Sequence, residues 1–242
     1  MNQTSNYDLT ILVPLYNEEE NVIRLEKSLT EYLTHALLNS CVLFINDGSD
    51  DGSLEKIRQI CIANKDFYYI SFDHNCGLSS ALKSGFDLVE SPYTGYIDAD
   101  LQTSPEDFNR LIPYLKEYAL VTGIRTNRKD NVIKKVSSKL ANSFRRYMTH
   151  DGIEDTGCPL KIIATPNARK LPFFKGMHRF IPALIRLQGV DVKEVPVSHF
   201  PRMAGVAKYN LRNRLIGPFI DCFAYKWMEK RYIRYHINEQ KV

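Results

Sequence analysis

The chain has no apolar run approaching the roughly 20 residues that a membrane-spanning helix needs. Its opening residues, MNQTSNYD, have neither the basic start nor the apolar stretch of a secretory signal. The expectation is a chain that stays in the cytoplasm. Cysteine is sparse: five residues, at 41, 61, 76, 158 and 222, scattered, odd in number and without a CxxC pair. That argues against a disulfide framework or a structural zinc site and fits a reducing compartment, where most of these thiols act as small buried apolar groups. No internal repeat, low-complexity tract or linker is visible. Positive charge is scarce over the first half, where residues 1–120 hold 8 Lys+Arg against 19 Asp+Glu, a net of −11. Residues 121–242 hold 24 against 9, a net of +15, so the overall +4 conceals a sharp division. Such a division predicts different partners for the two parts, with the basic part favouring a polyanion: nucleic acid, a phosphorylated ligand or an anionic membrane.

What is present is ordinary for a packed core: 44% hydrophobic and 25% charged residues exclude disorder of the whole chain. Leu9–Leu15, Cys41–Asn46, Phe67–Phe72 and Tyr93–Ile97 are nearly continuous apolar runs, the pattern of parallel strands covered on both faces. Between them Val22, Leu25, Leu29 and Leu33, then Leu54, Ile57 and Cys61, then Leu78, Leu82, Phe86 and Val89 recur at helical spacing. Ser104 followed by Pro105, Glu106 and Asp107 marks a helix start. Leu120–Ile124 reads as a fifth strand. The succession predicts an α/β fold, an open, mostly parallel sheet between helices. Beyond it the pattern loosens: a helical stripe through Ile133, Val136, Leu140, Phe144 and Tyr147, strands at Lys161–Thr165 and Val190–Val197, and a helix over Ile181–Leu187. From Leu211 onward the chain is helical, aromatic and basic.

Ligands of open parallel sheets bind at the carboxyl ends of the strands. Four successive strands end here in Pro14-Leu15-Tyr16-Asn17-Glu18, Asn46-Asp47-Gly48-Ser49, Asp73-His74-Asn75-Cys76-Gly77 and Asp98-Ala99-Asp100. Each alone is an ordinary turn or cap signal, and together they line one edge with acids, amides and glycines. Asp98 and Asp100, one residue apart at a strand end, suit a hard cation such as Mg²⁺ or Mn²⁺, which takes one or two protein carboxylates plus substrate phosphates. A phosphorylated ligand is implied.

The segments LTILVPLYNEEENV, FINDGSDDGS, DHNCGLSSALKSGF and YIDADLQTSPED occur in the order found in family 2 glycosyltransferases of the GT-A fold, which the chain resembles. Within that family DADLQ, GIRTNRKD, EDTGCPLK, HRF and PRMAGVAKYNLRNR are similar to the polyprenyl- and dolichyl-phosphate sugar transferases, over roughly residues 8 to 215. Asp73-His74-Asn75 stands where the family usually opens R-N-x-G. The resemblance implies a nucleotide-diphosphate sugar, carrying UDP or GDP, across the acidic half. Pro14, Tyr16, Glu18 and Asp47 would border the nucleoside, with Gly77 and Lys83 near that pocket. Asp98, Ala99 and Asp100 would lie against the donor, and Asp98, Asp100 and Gln102 would hold the Mg²⁺ or Mn²⁺. The implied organisation is a catalytic domain over residues 1–210, with a donor half at 8–124 and an acceptor half at 125–210, followed by an amphipathic docking helix over 211–242.

Arg125, Arg128 and Lys129 follow the fifth strand at the same edge, and arginine pairs with phosphate in two-point fashion. With Arg202 and Lys208 they suit an acceptor phosphate; Val206-Ala207 replaces the family's hydroxyl-bearing residue before the lysine. A lipid phosphate oxygen is ionised near neutrality and needs no strong base, so positioning and charge neutralisation would dominate. A sugar hydroxyl as acceptor would instead need a carboxylate base, Glu154 or Asp155; Asp155 reads as orienting the acceptor side or pairing with the arginines. His178 and Arg179, after Gly176, resemble the family's acceptor loop. The Q-x-x-R-W motif of processive synthases is absent, which disfavours polymerisation. The C-terminal segment sets Leu215, Ile216, Phe219, Phe223, Trp227 and Met228 beside Arg212, Arg214, Lys226, Lys230, Arg231 and Arg234. Gly217, Pro218 and Asp221 speak against a membrane span, so a helix at the headgroup level of an anionic membrane, or on an integral membrane partner, is expected. Nucleic acid is not an expected partner: the basic stretch from Arg125 carries no regular interleaving of aromatics, and it would leave the acidic edge unexplained.

Overall fold

A computed structural model of the chain describes residues 3–126, 143–201, 211–233 and 238–239, the side chains of 211–216 excepted. Among these residues seven strands form one sheet: β1 (Leu9–Leu15), β2 (Ser40–Asn46), β3 (Phe67–Ser71), β4 (Tyr93–Tyr96), β5 (Leu120–Arg125), β6 (Lys161–Ala164) and β7 (Val192–Val197). Their order is β3-β2-β1-β4-β6-β5-β7. The first four are parallel, β7 is parallel to β5, and β6 runs antiparallel to both of its neighbours. Strands from the acidic and the basic halves thus share one sheet.

The apolar runs become strands because both faces are covered. All seven residues of β1 and of β2 are buried. Alternate side chains feed two cores. Leu9, Ile11 and Val13 meet α1 (Glu19–Leu33), α2 (Ser53–Ala63) and α4 (Phe108–Leu111) on one face. Leu12, Leu43 and Ile45 meet α3 (Leu78–Leu88) on the other, in a cluster that also takes in α7 (Ile181–Leu187). Each such aliphatic side chain contributes roughly 1.5–3 kcal/mol by leaving water. Gly85 sets the approach of α3, since a Cβ there would stand 2.5 Å from Leu12 Cδ1 and 2.9 Å from Ile45 Cδ1.

Ser104 caps as expected, its hydroxyl accepting from the Glu106 amide at 3.3 Å. It opens a 3₁₀ turn, Pro105–Asp107, before α4, rather than one long helix. Of the stripe expected through Ile133 to Tyr147, the chain is helical over 143–149 (α5), and Ile133, Val136 and Leu140 lie outside the described residues. A short α6 (Thr165–Arg169) follows β6. The final helix, α8 (Leu211–Glu229), contains Pro218 and packs on the domain through Cys222 and Tyr225, which are buried in the second core. Phe180 stacks on Tyr225 at 6.2 Å, tying α8 to the start of α7. Phe219, Phe223 and Trp227 remain 50%, 53% and 61% exposed.

Candidate active site

The carboxyl ends of β1 and β2 are zipped together by local polar contacts. Asn17, in the left-handed region at φ 51°, donates its amide N–H to Ser49 Oγ at 2.9 Å and accepts from the Asp50 amide at 3.0 Å. The Glu18 amide donates to Ser53 Oγ at 3.0 Å, and its carboxylate accepts from Asn21 Nδ2 at 2.7 Å. Pro14 is buried in β1, with Tyr16 and Glu18 half-buried just beyond it.

Asp47 is 4% exposed and is engaged by the loop that precedes α3. It accepts from the Cys76 amide at 2.7 Å, the Gly77 amide at 2.9 Å and Asn75 Nδ2 at 3.1 Å. Burial pushes its carboxyl above the ordinary range, against the pull of those amides. The Asp47 carboxylate therefore shapes the wall formed by residues 75–77, whatever else it touches. The Lys83 ammonium pairs with Asp87 and lies 4.9 Å from the centre of the Phe173 ring.

Beyond β4, Asp98 is half-buried, Ala99 buried and Asp100 8% exposed. Leu101 then takes φ 55°, a left-handed conformation that costs a non-glycine residue of order 1–3 kcal/mol and is typical of functional turns. The turn brings the Gln102 amide to Asp100 Oδ1 at 3.1 Å, while the Gln102 carbonyl accepts from the Phe200 amide at 2.9 Å. Tyr96 donates its hydroxyl to Asp98 Oδ1 at 2.5 Å. Burial, then the charge of Asp100, pushes the Asp98 carboxyl up to about 6, opposed by Tyr96, Lys161 and Arg125. Two crowded carboxylates, one of them reluctant to ionise, are a donor set suited to a divalent cation. Among the described residues no group of three or more His, Cys, Asp and Glu could hold a metal, so phosphate oxygens would have to complete the shell.

Arg125 closes β5 at the same edge, and its charge acts on Asp98. Its guanidinium makes a two-point contact with Asp155, Nε to Oδ2 at 2.7 Å and Nη2 to Oδ1 at 2.8 Å, and its amide donates to Oδ2 at 3.2 Å. Burial would raise the Asp155 carboxyl, but the hydrogen bonds and charge of Arg125 outweigh it and hold the group below the usual range. The loop bearing Asp155 is itself anchored. Arg145 of α5 pairs with Asp151 and donates to the Ile153 carbonyl at 2.7 Å, and Glu194 of β7 accepts the amides of Glu154 and Asp155 at 3.0 and 2.9 Å.

His178 lies at the start of α3: its Nδ1 is 2.9 Å from Ser79 Oγ, which also accepts the Gly176 amide at 3.0 Å. Burial, then the charges of Arg179 and Lys161, push its pKa down to about 3, so the imidazole is neutral. Arg179, partly exposed beside it, acts in turn on Asp221 of α8. Arg128, Lys129, Arg202 and Lys208 lie outside the described residues. A surface depression of about 470 Å³, lined by Gln3, Cys61, Lys65 and the first residues of β3, sits at the opposite ends of the strands. It shares no residue with this edge.

The glycosyl transferase family 2 model matches residues 10–167, which contain all four motif-bearing strand ends. The chain belongs to glycosyl transferase family 2. Curated relatives include an undecaprenyl-phosphate 4-deoxy-4-formamido-L-arabinose transferase of Aeromonas hydrophila, 30% identical over 92% of this chain and 69% of the relative. A dodecaprenyl-phosphate galacturonate synthase of Rhizobium johnstonii is 29% identical over 84% and 62%. The chain thus spans about two thirds of the length of such relatives. Among solved structures, glucosyl-3-phosphoglycerate synthase of Mycobacterium tuberculosis, in complex with Mn²⁺, UDP-glucose and phosphoglyceric acid, superposes with a TM-score of 0.68 at 12% identity, covering 94% of this chain and 81% of that one. A mannosyltransferase of Pyrobaculum calidifontis in complex with GDP-mannose and Mn²⁺ gives 0.67 at 16% identity, over 90% and 63%. The fold of this family 2 member is accordingly GT-A.

Sequence reasoning did not reach Tyr96, Lys161, Glu194 or Ser79. Their roles depend on which strands and helices become neighbours, which spacing along the chain does not encode.

Proposed function

We propose that the chain transfers a sugar, with inversion, from a UDP- or GDP-sugar to a polyprenyl phosphate, in a divalent-cation-dependent reaction. The observation that carries this reading is the Arg125–Asp155 pair held at the same sheet edge as Asp98 and Asp100. A guanidinium fixed by one carboxylate is set to receive a second anion, and a carboxylate so engaged, below its usual pKa, is a poor general base. That favours an acceptor that is already ionised over a sugar hydroxyl. The names of the curated relatives, polyprenyl-phosphate sugar transferases at about 30% identity, point the same way.

On this reading Pro14, Tyr16, Glu18, Asp47 and Gly77 border the nucleoside, and Asp98, Asp100 and Gln102 hold Mg²⁺ or Mn²⁺. The cation would supply charge neutralisation for the departing nucleoside diphosphate. Arg125, joined by Arg128, Arg202 and Lys208, binds and orients the acceptor phosphate. One phosphate oxygen forms the bond to the anomeric carbon as the bond to the diphosphate breaks, and no proton has to move. His178, neutral, and Arg179 close the site from the α7 side. Residues 8–124 form the donor half, 125–210 the acceptor half, and 211–242 the element that docks at the cytoplasmic face of a membrane. Among the described residues no helix is long and apolar enough to cross one. The exposed aromatic face of α8, with Lys230 and Arg231 close behind it in sequence, suits an anionic surface or an integral partner.

The test is transfer from radiolabelled UDP- and GDP-sugars into lipid extract, with Mg²⁺ or Mn²⁺. Asp100→Ala is expected to abolish the label in lipid, and the wild-type product is expected to be released by mild acid, as glycosyl phosphates are. Full activity of the variant would sink the metal assignment, and an acid-stable product would mean a hydroxyl acceptor.

A further inference from the structure

Lys161 is among the largest side chains wholly enclosed by the protein, 1% exposed, although it opens a strand. It sits between Tyr96 of β4 and Thr122 of β5 in the register of the sheet. A buried ammonium costs several kcal/mol even after relaxation, and an apolar chain of the same length would fill the space without that penalty. Core packing therefore does not account for it. Its ammonium donates to the carbonyl oxygens of Thr156, at 3.4 Å, and Cys158. These belong to the turn after Asp155. The opposite side of the same turn is held by Glu194, which accepts the amides of Glu154 and Asp155. Glu194 thus grips the amides and Lys161 the carbonyls, the arrangement that complements the peptide dipoles at both ends. Burial lowers the pKa of Lys161, against the pull of Cys158, Asp155 and Asp98.

We infer that Lys161 is a positioning residue: holding the Thr156 and Cys158 carbonyls from inside the sheet, it fixes the turn that presents Asp155 to Arg125 and so aims the guanidinium at the acceptor phosphate. This rests on the proposed phosphate acceptor. Its own readout is the Nε–H resonance of Arg125 in ¹⁵N spectra of the full chain, assigned by its disappearance in Arg125→Lys. Lys161→Met is expected to shift or broaden that resonance and Lys161→Arg to restore it. With donor and polyprenyl phosphate varied separately, Lys161→Met is expected to raise acceptor KM or lower kcat by about 10- to 100-fold, the scale of a misplacement near 1 Å. Donor KM should change several-fold less than the acceptor parameters, since the turn lies on the acceptor side and Asp98 loses only one of the groups that favour its ionisation.

An unchanged Arg125 resonance with unchanged kinetics in Lys161→Met would overturn the inference, and so would equal losses on the donor and acceptor sides. Should Lys161→Met not fold, Glu194→Ala, which loosens the same turn from its amide side, carries the test: the same displacement of the Arg125 signal supports it, and an unperturbed signal refutes it. If the wild type transfers nothing to polyprenyl phosphate, the proposed function fails, and the spectral comparison still decides whether Lys161 orders Arg125.

Discussion

Asp155 holds Arg125 by three hydrogen bonds, two from the guanidinium and one from the backbone amide, with the two side chains only 10% and 14% exposed. Removing one partner of so enclosed a pair leaves the other charge uncompensated. Asp155→Asn is therefore expected to lower unfolding free energy by about 3–5 kcal/mol. Arg125→Gln combined with it should cost less than the two single changes added together, because the stranded charge is gone. Urea unfolding of the three variants checks this, and additive losses would show that the pair is not coupled.

Asp98 carries the opposite signature. Its folded-state pKa, about 6, lies above the ordinary 3.8, so the folded protein binds the extra proton and the group destabilises the metal-free chain as pH rises through that window. Without divalent cation, Asp98→Asn should raise Tm at pH 7, by about 2–4 °C for each kcal/mol relieved. The gain should shrink toward pH 4, where the wild-type carboxyl is protonated in the folded chain. Transfer activity should be lost in the same variant. Melting curves at pH 4 and 7 test the sign, and a lower Tm at pH 7 would contradict it.

Gly48, at φ 66°, lies under the backbone of His74: a Cβ would stand 2.2 Å from the His74 carbonyl carbon. Neither the conformation nor the space admits a side chain. Gly48→Ala should displace the 73–77 loop, break its contacts with Asp47 and weaken nucleotide binding, with a stability loss above the roughly 1 kcal/mol of a strained glycine replacement. Gly189→Ala makes the control, because its φ of 81° is similar while nothing lies within 4 Å of the added Cβ. Calorimetric titration with UDP and GDP in both variants separates the clash from the strain.

Phe223 and Trp227 project from α8 next to the stack of Phe144 on Phe219 at 4.8 Å. Phe223 also packs edge-on against Phe219 at 5.3 Å and tilted against Phe144 at 6.4 Å, so its exchange for serine should cost about 0.5–1.5 kcal/mol, and that of the exposed Trp227 about 0.5 kcal/mol. Co-sedimentation with anionic vesicles should fall sharply in the Phe223→Ser, Trp227→Ser double variant, and wild-type binding should weaken with salt. Undiminished binding would remove this face as the docking surface.

The strands that carry the acidic edge were legible in the sequence because buried parallel strands are apolar throughout and polar residues begin where they end. Asp98, Asp100 and Arg125 could be placed at one edge on that basis alone. Lys161 could not, since a lysine at the head of a strand reads as its solvated end, and only the insertion of β6 between β4 and β5 encloses it. Asp47 was expected against the nucleoside. Its engagement with residues 75–77 depends on how the loop after β3 returns across β2, which spacing does not encode. Lys83 likewise had a visible partner four residues on, Asp87, that competes with any ligand for its ammonium. The helix start at Ser104 was chemically right and topologically short, because capping specifies where a turn begins and not how far it runs.

The reversed direction of β6 bears on the order in which the protein can be made. β1 to β4 pair only among themselves until residues 161–164 are available, so that sheet can close while the ribosome is still translating the later strands. β5 emerges next and, among the described residues, has no strand partner yet, because both of its neighbours, β6 and β7, lie later in the chain. It must wait with its edges bare, a state that invites association with other chains. Arg125, at its end, therefore gains a fixed position only after most of the polypeptide has been synthesised.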